Sequence, residues 1–379
     1  MSIDLTEDQQ MIRELAAKFA TEQLKPRAAE FEEKEEVPAE ILKELSSLGF
    51  MGMMVPEELG GSGLDAVSYA MAVEEIARAD ASTAVTVAVN NSLVCGIFLA
   101  FASEEQKKKY LPPLAKGEAI GSYALTEPEA GTDAGNVQTT AVLAGDHYVI
   151  NGTKTFITNG GIASTILLFA STNPEMKTKG LSCFIVEKGF PGFSVGSREK
   201  KMGMRAANVS ELIFDDCRVP KENLVGEEGQ GLKIAFTALD SGRISIAAQA
   251  VGIAQAALDE ALQYSKQRQQ FDRPLCKFQA IQFMLADMAT RVEAARLLTL
   301  RAAHLKDRGE RFSTEASMAK LYASESASWV CSKALQIHGG YGYMKDYAIE
   351  RLFRDARLTE IYEGTSEAQR MVIARGLLR

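Results

Sequence analysis

The segment Ile361-Tyr362-Glu363-Gly364-Thr365-Ser366-Glu367 holds the residue types best suited to moving a proton. Glu363 precedes a glycine where a loop enters the last helix, and Thr365 or Ser366 can act as N-cap. Most Glu residues so placed are solvated. Enclosed in an apolar pocket, the same carboxylate would have its pKa raised toward neutrality and serve as a general base. Other segments have the makings of ligand contacts. Tyr123-Ala124-Leu125-Thr126-Glu127-Pro128-Glu129-Ala130-Gly131-Thr132-Asp133-Ala134-Gly135 reads either as a joining loop or as a loop presenting N–H groups and Thr hydroxyls to a polar ligand. Phe156-Ile157-Thr158-Asn159-Gly160-Gly161 reads as a strand end, with Phe156 either core or a face for a planar heterocycle. Arg268 in Arg268-Gln269-Gln270-Phe271 is either a basic helix cap or a phosphate-facing cation. Gly339, Gly340 and Gly342, after Gln336-Ile337-His338, exceed the needs of one C-cap and leave room for close backbone approach to a ligand. His338 reads as packed.

Other chemistries find little support. Gly61-Ser62-Gly63-Leu64-Asp65-Ala66 formally matches a dinucleotide fingerprint, but Pro56-Glu57-Glu58 precedes it where a buried strand is required. The glycines read as a loop. Cys95, Cys183, Cys217, Cys276 and Cys331 form no C-x-x-C pair and no ligand spacing with His147, His304 or His338, so free thiols are expected and no metal site. A net charge of -8 argues against nucleic-acid binding. The N-terminus is acidic and polar, unlike a signal peptide, and no uninterrupted apolar run is long enough to span a bilayer. A soluble, cytoplasmic protein is the expectation.

The elements that must position these residues fall into three regions by periodicity. Residues 1–118 follow a helical period, with Ser2 or Asp4 as first cap, a start at Pro38 stopped by Gly49, and a helix through Tyr69, Val73, Ile76 and Ala77. Asn91–Phe101 reads as a buried helix and Ser103–Leu114 as a short one ended by Pro112 and Pro113. Residues 119–228 change to short runs between Gly, Asn and Asp: Thr139–Ala144, Tyr148–Asn151, Thr165–Ala170, Ser182–Val186, Phe193–Ser197 and Ser210–Phe214. Asn151-Gly152 predicts a tight turn. Without long helices between them, these strands should form an antiparallel sheet or barrel. Residues 229–379 return to helices, with stripes at Ala247–Ala261 and Ile281–Ala295, as in a bundle of antiparallel helices. The fold class is α+β, multi-domain.

Taken in order, Thr126-Glu127-Pro128, Phe156-Ile157-Thr158-Asn159-Gly160, Gln336 with its glycines, Arg354-Asp355-Ala356 and Tyr362-Glu363-Gly364-Thr365 resemble the acyl-CoA dehydrogenase family over essentially the whole chain. Leu239-Asp240-Ser241-Gly242-Arg243 and Val89-Asn90-Asn91-Ser92-Leu93 are most similar to its short-chain, or butyryl-CoA, members. The resemblance implies a helical domain, a β-barrel and a four-helix bundle. It implies FAD-dependent α,β-dehydrogenation of an acyl-CoA, with Glu363 as base because Gly242 stands where some relatives carry it. It implies that Tyr123, Leu125, Thr126, Gly131, Thr132, Phe156, Ile157 and Thr158 contact the flavin and its tail. Arg268, Phe271, Gln279, Gln336, Gly339 and Gly340 would reach a neighbouring subunit's FAD, and Thr365 and Glu367 match the segment beside the adenosine part of FAD. Thr132, Asp240, Arg243 and Gly364 would contact the CoA thioester. A homotetramer and electron transfer to an electron-transferring flavoprotein are implied as well. A dehydrogenase for branched or alicyclic acyl-CoA and an acyl-CoA oxidase are the enzyme alternatives. Phe156 stands where several relatives carry Trp, and Asp346-Tyr347-Ala348 replaces a Glu–aromatic–Pro loop.

Overall fold

Thr6 caps the first helix: its hydroxyl accepts from Gln9 N (3.2 Å), and Thr6 N in turn donates to Gln9 Oε1 (3.0 Å). A computed structural model describes residues 5–378, so Ser2 and Asp4 lie outside it. The helices that follow are α1 (Glu7–Phe19), α2 (Ala28–Lys34), α3 (Ala39–Ser47), α4 (Ala66–Ala79), α5 (Ala81–Ala88), α6 (Gly96–Phe101) and α7 (Glu104–Ala115). A π-helical segment, Val89–Cys95, joins α5 to α6, so the expected Asn91–Phe101 helix is the second half of a longer rod. That rod, Ala81–Phe101, is long and apolar enough to cross a membrane, contrary to the expectation from sequence. It is instead a core helix, 78% buried over its most apolar stretch. Ser103 caps α7 as a capping box, and Pro112 and Pro113 lie inside that helix rather than beyond it. Both proline carbonyls still accept, from Lys116 N and Ala119 N, so one further turn forms after them.

The strands are β1 (Gly121–Ala124), β2 (Thr140–Ala144), β3 (His147–Thr158), β4 (Thr165–Ser171), β5 (Leu181–Glu187), β6 (Phe193–Arg198), β7 (Val209–Pro220) and β8 (Leu224–Val225). They form one sheet in the order β6-β7-β3-β2-β4-β5-β8, with β1 beside β4. The sheet is neither closed nor purely antiparallel. β6 and β8 end it without pairing to each other, and β1, arriving from the helical region, runs parallel to β4. β4 and β5 are buried on both faces and therefore read as continuous apolar runs. Leu167 and Phe169 face the large helical core, while Ile166, Leu168 and Ala170 face a smaller one within the sheet domain.

Asn151-Gly152 is not a turn. β3 runs straight through it, with a register shift against β7 between Ile150 and Gly152. A Cβ at Gly152 would lie 2.8 Å from the Thr139 backbone, so the glycine serves close strand approach. The turn falls earlier, at Gly145-Asp146, between β2 and β3.

Beyond the sheet come α8 (Gly231–Gln267), a two-residue hairpin of β9 (Gln269–Gln270) and β10 (Arg273–Pro274), α9 (Gln279–Asp307), α10 (Ser313–His338), α11 (Ala348–Thr359) and α12 (Ser366–Leu377). Small residues let the long helices approach: Ala247, Ala250, Ala254, Ala257 and Ala261 on α8, and Ala316, Ala319, Ala323 and Ala327 on α10, are all buried.

Candidate functional site

Glu363 lies between α11 and α12 in the left-handed region (φ 51°), followed by Gly364 at φ 94°. Left-handed backbone is costly for a side-chain-bearing residue and here turns the carboxylate inward. Glu363 as a residue is half-buried, yet both its carboxylate oxygens are enclosed and hydrogen-bond to nothing. Burial pushes its pKa up to about 7, while the opposing charges of Lys320 and Arg243 hold it from rising further.

The space for that carboxylate is made by α8. A Cβ built at Gly242 would lie 2.0 Å from Glu363 Oε2 and 2.9 Å from Leu93 Cδ2. Gly242 and the tip of Glu363 therefore meet at one point, beside the Val89–Cys95 segment. Asn90 and Asn91 hold that segment in place. Asn90 accepts from Gly121 N (2.9 Å) and donates to Met51 O (2.8 Å), and Asn91 accepts from Met53 N (2.7 Å).

One helical turn along α8 from Asp240, Arg243 is buried and donates to Asp240 Oδ1 (2.5 Å), while its Nε has no partner. Asp240 also accepts from the Ser313 hydroxyl. Tyr123, on β1, reaches Ala235 O on α8 (3.5 Å), and burial raises its pKa, with Glu363 adding to that rise. Tyr362 donates to Gln249 Oε1, and Gln249 Nε2 in turn donates to Ala81 O (2.7 Å), anchoring the Glu363 loop to two helices. Gln369 Nε2 bonds Gly364 O (2.8 Å) and Glu363 O (3.3 Å). Thr365 caps α12 by accepting from Ala368 N (3.3 Å), and Glu367 is exposed in the first turn of that helix.

The other candidates separate into two groups. Leu125 is buried, Thr126 half-buried, and Gly131 and Thr132 are exposed on the loop before β2. That loop is pinned to β3 by a buried ion pair, which motif reading left without a role. Lys154 Nζ donates to Glu127 Oε1 (2.6 Å) and Leu125 O (3.0 Å), and Glu127 also accepts from Gln138 N (2.6 Å) and Thr139 N (3.0 Å). At the end of β3, Phe156 is 64% exposed at φ 58°, so the core reading of it fails. Ile157 is buried in the smaller core and offers a ligand only its backbone, and Thr158 is half-buried.

The second group lies at the far end of α8. Arg268, Gly339 and Gly340 line a cavity of about 550 Å³ with Tyr264, His338 and Tyr341. His338 packs against Tyr264 (ring centroids 4.2 Å apart) and is buried. Phe271, 87% exposed, and Gln279 and Gln336, also exposed, stand at this end. From Arg243 to Arg268 an unbroken helix spans roughly 40 Å, so one chain does not bring this group to Glu363.

An enclosed carboxylate of raised pKa can abstract a proton. An outward-facing aromatic beside a hydroxyl, a loop of hydroxyls and glycines, and a cavity lined by an arginine and glycines suit a flat, phosphate-bearing dinucleotide. Lys154, Lys320, Gln249 and Gln369 were not singled out from sequence. Lys320 left the clearest signal, as a lysine on an alanine stripe.

Comparisons with known proteins agree with this geometry. The family models for the acyl-CoA dehydrogenase N-terminal, middle and C-terminal domains match residues 6–118, 122–217 and 229–378. A "short-chain specific" acyl-CoA dehydrogenase of Clostridium acetobutylicum is 51% identical over 379 residues, covering 100% of both chains. The structure of butyryl-CoA dehydrogenase from Megasphaera elsdenii is 48% identical with a TM-score of 0.98, again covering 100% of both. A chain of the structure described as "Electron transferring flavoprotein of Acidaminococcus fermentans: Towards a mechanism of flavin-based electron bifurcation" is 51% identical with a TM-score of 0.99, covering 100% of both. With three consecutive domain models matched and relatives aligned from end to end, the chain belongs to the acyl-CoA dehydrogenase family.

Proposed function

We propose that the protein dehydrogenates a short-chain acyl-CoA to the trans-2-enoyl-CoA, with Glu363 taking the α-proton. The observation that carries this reading is the enclosed, unpaired Glu363 carboxylate in the slot opened by Gly242. With a pKa of about 7, the carboxylate is substantially ionised at neutral pH and basic enough to compete for a weakly acidic C–H. That proton becomes acidic enough only if the thioester carbonyl accepts preorganised hydrogen bonds as charge develops on it. The Glu363 backbone N–H would be one such donor and FAD, when bound, would supply another from its ribityl chain, each worth about 3–4 kcal/mol. Arg243 and Asp240, with Thr132 and Gly364, hold the substrate. The short-chain preference rests on the named relatives and on Leu93, whose side chain closes in beside Gly242.

The family is FAD-dependent, and FAD supplies the acceptor for the β-hydride, a task no side chain can perform. Tyr123, Leu125, Thr126, Gly131, Thr132, Phe156, Ile157 and Thr158 would hold the flavin and its tail, with Thr365 and Glu367 beside the adenosine. Arg268, Phe271, Gln279, Gln336, Gly339 and Gly340 are assigned to a neighbouring subunit's FAD. Their distance from Glu363 along α8 supports that assignment, as do the exposed Phe271, Phe283, Tyr341 and Tyr343, and with it a homotetramer. Each chain divides after residues 118 and 228. Electrons leave to an electron-transferring flavoprotein, in keeping with the Acidaminococcus structure.

The test is anaerobic bleaching of the flavin by butyryl-CoA. The wild-type rate should rise with pH through about 7, since the ionised carboxylate is the active form. Glu363→Gln should stay yellow and bind CoA esters while losing about 10²-fold or more in rate. Near-normal bleaching in that variant refutes the assignment of the base.

A further inference from the structure

Lys320 sits on the buried alanine stripe of α10, and its side chain is 0% exposed. An ammonium group so placed is costly unless its charge and hydrogens are used. Its Nζ donates to Gly364 O (2.7 Å), the carbonyl that Gln369 Nε2 also holds. The two side chains thus clamp, from α10 and α12, the left-handed pair Glu363-Gly364. Among the described residues no carboxylate lies within ion-pair distance of Lys320, and Glu363 is the acidic group that acts on it most strongly.

The groups that face Glu363 come from each element around it: Lys320 from α10, Arg243 from α8, Tyr69 from α4, Tyr123 from β1, and the adjacent Tyr362. Burial raises the pKa of all three phenols, so they stay neutral where Glu363 ionises and set no charge against it. Of the two cations, Arg243 is engaged by Asp240 (2.5 Å), which leaves Lys320 as the cation without a carboxylate of its own.

We infer that Lys320 is a positioning residue for Glu363, fixing the left-handed turn through the Gly364 carbonyl and setting a buried positive charge toward the carboxylate. This rests on Glu363 being the base. Burial depresses the Lys320 pKa to about 8, with Arg243 adding to the fall and Glu363 opposing it, so the lysine is still largely charged where Glu363 begins to ionise. Removing that charge makes the carboxylate harder to ionise while leaving Glu363 itself in place.

The experiment follows butyryl-CoA bleaching of the FAD-loaded enzyme across neutral pH in wild type, Lys320→Gln, Lys320→Arg and Glu363→Gln. In Lys320→Gln the midpoint of the rate profile should move up by about one unit. The rate below that midpoint should fall about tenfold and recover toward alkaline pH. Lys320→Arg should keep the wild-type midpoint. Lys320→Met, of similar volume and without a polar head, gives a second reading of the midpoint where the Gln variant fails to hold FAD. A wild-type midpoint in the neutral variants overturns the proposal, whether the rate is normal or uniformly reduced, because a purely structural role lowers the rate equally at every pH. An inactive Glu363→Gln beside a wild-type profile in Lys320→Gln removes Lys320 alone. Bleaching that persists in Glu363→Gln removes the base and this inference with it.

Discussion

At Gly242 the absent side chain does as much as the present one at Glu363. A methyl group at 242 would sit 2.0 Å from Glu363 Oε2 and 2.9 Å from Leu93 Cδ2, and both atoms in its way are the far ends of flexible side chains. The fold can accommodate Gly242→Ala by swinging the carboxylate aside, but the base cannot then hold its geometry. This variant should fold and bind FAD normally while bleaching at least about tenfold more slowly with butyryl-CoA, since base catalysis depends on hydrogen-bond-range placement. An unchanged rate would show that Glu363 does not need this slot. In the sequence, Glu363 is an acid before a glycine and nothing more. The role proposed for it rests on resemblance in the ordered set of motifs around it, and its environment emerges only through folding. Gly242 was marked by resemblance as the vacant alternative seat, and in the fold a side chain there would meet the Glu363 carboxylate.

Between elements, the loop from Leu125 to Thr139 depends on β3 beneath it. Thr155 N donates to Thr126 O (3.0 Å), and the buried Lys154 bridges Glu127 and Leu125 O. Breaking a buried pair at one end commonly costs about 3–5 kcal/mol because the other charge is left uncompensated. Lys154→Met should therefore lower the melting temperature and speed FAD loss on dilution, read by the recovery of free-flavin fluorescence. Adding Glu127→Gln should recover part of the stability. Neither partner was assigned a role in advance, because a strand lysine reads as solvated until the covering loop is known. Other elements divide the same way. The helix start at Ser103 and the stop at Gly49 are local signals and were readable. The Val89–Cys95 π-segment, the parallel β1–β4 pairing and the open sheet are set by contacts remote in sequence. Asn151-Gly152 misleads for a related reason, since a glycine needed for close strand approach looks the same as one needed for a turn.

Across the whole molecule, the proposed base meets α8 a third of the way along, at Gly242, and the proposed inter-subunit contacts lie at its C-terminal end, so a complete site in this reading needs more than one chain. Helix–sheet–helix order was legible from the change of period alone, whereas the exposed aromatics at Phe271 and Tyr343 acquire meaning only on a surface. The enclosure of Glu363 also has a thermodynamic side. Its pKa is about 7 in the folded chain against 4.5 for the free side chain, so the native state holds a proton that the unfolded state releases. Its favourable contribution is fully present below pH 4.5, is lost as pH rises to about 7, and leaves a deficit of about 3 kcal/mol at pH 8. Glu363→Gln carries no such charge. Glu363→Gln should therefore resist heat or urea better than the wild type at pH 8, and the two should converge as the solution is acidified.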